Sequence, residues 1–180
     1  WRRAAAMSAS KPRGHARRQL FTVLLVGEGH AEETLLRHLR SLYIARGSGV
    51  TATIRNARGK GAAHVVDYAM GQTRNAAYDR MLVLLDTDTD WTDAVRKKAA
   101  QARIDVIACE PCLEALLLRA HGAALRDGCT SRQLKQQFAA QFGCAADEPR
   151  VYETHFGRER LEQARRLLPE LDRLLHALLP

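Results

Sequence analysis

Long hydrophobic runs are missing from this sequence. The longest unbroken apolar stretches are only a few residues, far short of the roughly 20 that cross a bilayer as a helix, so a membrane-spanning helix is excluded. Cysteine is sparse: Cys109, Cys112, Cys129 and Cys144 are the only four in 180 residues, far below the density of a disulfide-stapled secreted scaffold. No early segment joins a charged head to an apolar run of signal-peptide length. Together these absences lead us to expect a reduced, cytoplasmic protein with no membrane partner. Acidic residues are absent from the first 18 positions, which carry Arg2, Arg3, Lys11, Arg13, Arg17 and Arg18. Residues 1–18 are therefore expected to be a flexible basic arm, and 19–180 a single domain of ordinary size.

Hydrophobic residues make up 46% of the chain, too many for wholesale disorder. From Leu20 onward, short apolar runs alternate with amphipathic stretches. Residues 21–26 are leucine and β-branched, too short for a helix and closed by Gly27 and Gly29, which predicts a buried strand. Residues 49–54, 81–85 and 104–108 predict three more. Helices are predicted over 31–45, 62–70, 92–101, 134–142 and 157–178, with Pro169 kinking or splitting the last. Pro111 is expected to open an apolar helix through Leu113, Leu116 and Leu117. Strand–helix alternation with buried-type strands implies an α/β domain on a mainly parallel four-stranded sheet, with extra C-terminal helices padding one face or edge.

In such sheets chemistry collects at the carboxyl ends of the strands, and three of those ends carry acids. After the first strand comes Gly27-Glu28-Gly29-His30-Ala31-Glu32-Glu33. The flanking glycines allow a sharp turn that leaves Glu28 projecting above the sheet edge. Glu32 and Glu33 read instead as acids at a helix N-terminus, where negative charge is stabilising. His30 is a minor site candidate, while His38, His64 and His121 are expected to pack or cap.

After the third strand comes Asp86-Thr87-Asp88-Thr89-Asp90. Three carboxylates at alternating positions repel one another unless a cation sits among them, and oxygen-rich clusters of this kind suit Mg²⁺. A helix cap would account for Asp90 alone. After the fourth strand, Cys109-Glu110-Pro111-Cys112-Leu113-Glu114 has the spacing of a zinc or dithiol site but no partner pair elsewhere. Glu114 opens an apolar helix and could join a metal site.

These three elements in order resemble the Toprim domain of topoisomerases, primases and old-type nucleases. More narrowly they resemble the RloB-like family, which shows Glu-Gly-x-Thr-Glu, Asp-x-Asp and Asn-Pro-Cys-Phe-Glu-x-Trp-Leu-Leu. The counterparts here are Glu28-Gly29-His30-Ala31-Glu32, Asp86-Thr87-Asp88 and Glu110-Pro111-Cys112-Leu113-Glu114-Ala115-Leu116-Leu117. Ala31, Glu110, Leu113 and Ala115 depart from the pattern, and the likeness covers most of 20–122. The resemblance implies a Toprim-like sheet with helices on both sides and Mg²⁺ near Glu28, Asp86 and Asp88. It also implies phosphodiester chemistry, in restriction or phage-defence settings.

The expected activity is thus Mg²⁺-dependent (or Mn²⁺-dependent) cleavage of DNA or RNA, or phosphoryl transfer of the same kind on nucleic acid. Asp86 and Asp88 would hold the metal, with Asp90 and Glu114 as further ligands, and Glu28 would act as acid/base or second ligand. Lys60 and Arg58, in Arg58-Gly59-Lys60-Gly61, would steer a phosphate. Two alternatives compete. One is a non-catalytic nucleic-acid-binding subunit of a larger protein complex. The other is a haloacid-dehalogenase-like phosphatase, whose signature the 82–89 segment also fits, although here it comes late in the chain.

The net charge of +8 is mostly the arm, because the rest holds 22 basic against 20 acidic residues. Within that body the signs separate: 34–78 carries seven Lys and Arg against Asp67, whereas 79–93 carries five acids against Arg80. A basic flank beside an acidic loop suits a phosphate-handling site.

Overall fold

A computed structural model of the chain describes residues 20–88 and 90–179. The basic arm expected over 1–18 lies outside them. Four strands form one sheet: β1 (Phe21–Gly27), β2 (Val50–Asn56), β3 (Arg80–Asp86) and β4 (Ile104–Cys109). All neighbouring pairs are parallel and the order is β2-β1-β3-β4. The connections are α1 (His30–Tyr43), α2 (Gly61–Gln72) and α3 (Asp93–Gln101). After β4 come α4 (Leu113–Ala120), α5 (Ser131–Phe142), α6 (Pro149–His155), α7 (Arg158–Ala164) and α8 (Pro169–His176).

The continuous apolar runs of the strands have a simple cause, which is burial on both faces. Val23 and Leu25 of β1 and Leu82 and Leu84 of β3 pack with α1 and α4–α8. Leu24, Val26, Val83 and Leu85, their immediate neighbours in sequence, pack with α2 and α3. Successive strand side chains point to opposite faces, so each strand serves two cores. Each fully buried Leu or Val contributes about 1.5–3 kcal/mol of hydrophobic stabilisation.

The C-terminal helices pad one face of the sheet. Helix α4 is buried from Leu113 through Leu118, and α5–α8 wrap over it around Phe138, Tyr152 and Phe156. The Tyr152 hydroxyl donates to the Ala146 carbonyl at 2.6 Å, satisfying the one polar atom of that aromatic side chain. Arg80 donates to the carbonyls of His176, Ala177 and Leu179 at 3.1, 3.1 and 2.9 Å, so the carbonyls left over at the end of α8 are bound by the start of β3. Arg173 reaches the Val106 carbonyl at 3.0 Å on the outer strand β4.

Pro169 splits the long C-terminal pattern, standing in the first turn of α8, where its missing N–H costs nothing. One helical expectation needs correction, and one helix was not expected. Pro111 does not open α4: it follows a cis Glu110–Pro111 peptide bond, and Cys112 is the N-cap. Helix α6 has no counterpart in the sequence reading, because its seven residues hold only Val151 and Tyr152 as buried positions.

Candidate functional site

From β1 the chain crosses to β2 on one side, and from β2 it returns past β1 to β3 on the other. The carboxyl ends of β1 and β3 thus flank the point where the winding reverses, the usual ligand crevice of open parallel sheets. Glu28 stands there directly after β1. Its N–H donates to the Leu84 carbonyl at 3.0 Å, and its carbonyl accepts from Gly59 N–H at 2.7 Å. Glu28 Oε2 accepts from the backbone N–H of Asp86 at 3.1 Å. Burial, joined by the negative charges of Asp88 and Asp90, raises the Glu28 carboxyl above the ordinary range, although the Asp86 N–H and Lys135 oppose it.

The glycines beside Glu28 act differently from expectation. Gly29 is in extended conformation, and the demand at Gly27 is for space. A Cβ there would lie 2.8 Å from Glu32 Cβ and 2.9 Å from Glu33 N. Helix α1 starts hard against β1, and only a missing side chain permits it.

Asp86 ends β3 with its side chain 13% exposed. Its Oδ1 accepts from Leu113 N–H at 2.8 Å, at the start of α4, and its Oδ2 lies 4.0 Å from Lys135 Nζ. Burial, then the charges of Glu32 and Glu114, push its carboxyl up to about 8, against the pull of Leu113 N–H and Lys135.

Two buried acids complete the group. Glu32 is 6% exposed, and its Oε2 accepts from Gly29 N–H at 2.8 Å. Burial raises its carboxyl, with Glu114 and Glu28 adding repulsion. Glu114, also 6% exposed, leaves Oε2 without a hydrogen-bond partner. Next to it the Cys112 thiol is pushed up to about 11, mainly by burial, so it stays protonated. Cys109 and Cys112 are both free and buried, which removes them from solvent-borne redox chemistry.

Sequence reasoning had placed Glu32 with Glu33 as helix decoration. Glu33 has that character, held by Arg37 at 2.6 Å and Asn56 at 2.9 Å, contacts that lower its carboxyl. Glu32 belongs to the site. A signal for it existed, since Glu32, Leu35, Leu36, Leu39 and Tyr43 form one helical stripe, and an acid on an apolar stripe must be buried. Lys135 of α5 was also missed. Burial alone would lower its ammonium, but Glu114 and Asp86 outweigh that and hold it above its usual value.

The other candidates sit as follows. Asp88 is exposed near Glu28. Asp90 turns to α2, its Oδ1 accepting from Ala62 N–H at 2.5 Å and Oδ2 from Ala63 N–H at 3.3 Å, so it caps that helix from across the crevice. Arg58 and Lys60 are exposed on the loop after β2, with φ of 62° and 75°. His30 points to the same side, with Nδ1 3.3 Å from Asn56 Nδ2. His38 Nε2 meets the Phe156 carbonyl at 2.8 Å, His64 Nε2 the Ala57 carbonyl at 3.1 Å, and His121 stacks edge-on with Phe142.

What the crevice can do follows from its charge. Glu28, Glu32, Asp86 and Glu114 crowd together with Lys135 as the nearby cation, and burial followed by mutual repulsion raises the proton affinity of three of them, Glu28, Glu32 and Asp86. Among the described residues, no three acid, imidazole or thiol groups converge as a ready-formed metal cage. The donors are nonetheless all hard oxygens, and the buried Glu114 Oε2 lacks a partner, which fits Mg²⁺ rather than a thiolate-seeking metal. No protein-family model, curated protein or solved structure matches this chain. No helix among the described residues is long and apolar enough to cross a membrane.

Proposed function

We propose that this chain is a Toprim-like, RloB-like protein that cleaves phosphodiester bonds in nucleic acid with Mg²⁺ or Mn²⁺. The observation that carries the reading is the clustering of the largely buried Asp86 with Glu28, Glu32 and Glu114 at the sheet's switch point, where burial and then the neighbouring charges raise its carboxyl. An anionic crevice short of positive charge is what a divalent ion would complete. Asp86, Asp88 and Glu28 would hold the ion, with Glu114 supplying a further oxygen. Bound there, it would neutralise charge developing on the scissile phosphate.

The chain's own groups divide the remaining work. Glu28, with its raised carboxyl, is better matched than an ordinary glutamate to taking or giving a proton near neutral pH. Lys135 offers a positive charge on the α4–α5 side of the crevice, and Arg58 and Lys60 offer two more on the β2 side. A phosphate between them would meet cations from both flanks.

The test is cleavage of DNA and RNA substrates with Mg²⁺ or Mn²⁺ by the chain and by Asp86→Ala/Asp88→Ala. The reading expects divalent-dependent cleavage that the double variant loses, and a Mn²⁺ soak with anomalous density beside Asp86. Undiminished cleavage in the double variant would sink it. A second reading is a nucleic-acid-binding subunit of a larger defence complex, acting in the cytoplasm. It is favoured by the cations of the β2 loop, which need no metal to hold a phosphate. That reading wins if divalent ions neither stabilise the fold nor enable cleavage.

A further inference from the structure

A cleft of about 600 Å³ opens beside the carboxylates, over the end of β2, between the start of α1 and the outer face of α2. Arg55, Arg58, Lys60, His30, His64 and Tyr68 all line it. The acid on its lining, Glu33, is already taken by Arg37 and Asn56. Arg58 and Lys60 form no ion pair with any described residue, and both hold the left-handed conformation, which is costly for a residue with a side chain. The loop is fastened to the crevice, with Ala57 N–H donating to the Gly27 carbonyl at 2.9 Å and Gly59 N–H to the Glu28 carbonyl at 2.7 Å. His64 and Tyr68, one helical turn apart on α2, put their rings 6.3 Å from each other.

We propose that this cleft binds a single-stranded nucleic acid, with Arg58 and Lys60 on its phosphates and a base against Tyr68, and leads the strand to Glu28. The inference rests on the phosphodiester reading for its direction, but not for its binding chemistry. Cations beside an aromatic face are the combination that holds unpaired strands, because every base has a π-face to stack. A duplex keeps its bases stacked inside and would present Tyr68 with backbone and groove edges, not with a free base face. The N-terminus of α2 is no rival phosphate site, since the Asp90 carboxylate already occupies it.

The experiment is fluorescence anisotropy in EDTA, using the full chain and a labelled short oligothymidylate, the matching duplex, and thymidine monophosphate as competitor. The strand should bind more tightly than the duplex, and the mononucleotide should compete poorly. Tyr68→Ala should weaken strand binding about five-fold or more, with Tyr68→Phe restoring it. Arg58→Gln/Lys60→Gln should make the salt dependence shallower, by about 1.4 in the log–log slope. Equal or tighter duplex binding, mononucleotide binding as tight as the strand's, or unchanged affinity in variants that melt like the parent would overturn the proposal. Because no divalent ion is present, a failure of cleavage leaves this result standing, and the reverse also holds.

Discussion

The backbone N–H of Asp86 donates to Glu28 Oε2 at 3.1 Å, so the last residue of β3 holds the first residue beyond β1. The two acids sit 58 positions apart in sequence and are joined directly by this contact, beside the Glu28 N–H bond to the Leu84 carbonyl. Asp86 then passes the connection on, since its own Oδ1 accepts from Leu113 at the head of α4. Three strand-end segments are therefore coupled through two carboxylates, those of Glu28 and Asp86.

That coupling has a pH signature. Asp86 is raised from 3.8 to about 8, so between those values the folded chain holds a proton that the unfolded chain has released. Stability from this group is fully present below about pH 4 and is lost as pH rises toward about 8. Glu28 and Glu32, also raised, act in the same direction. In EDTA the melting temperature should fall between about pH 5 and about pH 8, and Asp86→Asn should flatten the fall. A divalent ion should restore more of the loss at the upper end, where the carboxylates are free to bind it.

Lys135 is the cation that offsets this charge, so Lys135→Met should be felt most when the acids are ionised. We expect a loss of up to about 1 kcal/mol near pH 8, held down by the half-exposed position of the side chain. The loss should shrink near pH 5. Chemical denaturation at the two pH values reads the difference, and an equal loss at both would show that the charge is not what Lys135 contributes.

Gly27→Ala should destabilise the chain by about 1–3 kcal/mol, because its new Cβ would meet Glu32 and Glu33 inside van der Waals distance. Gly157→Ala is the control, with nothing within 4 Å of the added carbon. Since Gly27→Ala displaces the start of α1, it should also reduce the proposed divalent-dependent cleavage. Urea midpoints of the two variants separate the close-approach effect from the general effect of replacing a glycine.

Asp90→Ala should cost about 0.5–2 kcal/mol through loss of the α2 cap. Its melting temperature should still rise on adding Mg²⁺, whereas that of Asp86→Asn should not. Thermal melts with and without the ion make the comparison. A complete loss of the Mg²⁺ response in Asp90→Ala would place this carboxylate on the metal as well.

The strands and most helices were legible because their signals are local. A run such as Leu82-Val83-Leu84-Leu85 must be buried on two faces, and glycine or acid punctuation marks where it stops. Asp86 stood out for the same reason, as an acid directly after such a run. Glu32 was half legible, its place on the leucine stripe of α1 being visible and its exposure misjudged. The start of α4 was misplaced because Pro111 suits a helix opening and equally a turn before one.

By itself the sequence determined an α/β chain with acids at three strand ends and a basic segment between them, since periodicity, apolar runs and charge spacing are properties of neighbouring residues. Only the tertiary structure decided which acids meet. Asp90 went to α2, Glu32 and Glu114 went inward to Asp86, and Lys135 arrived from a helix 49 residues beyond Asp86. Such pairings depend on strand order and helix packing, which bring together groups that no spacing along the chain relates.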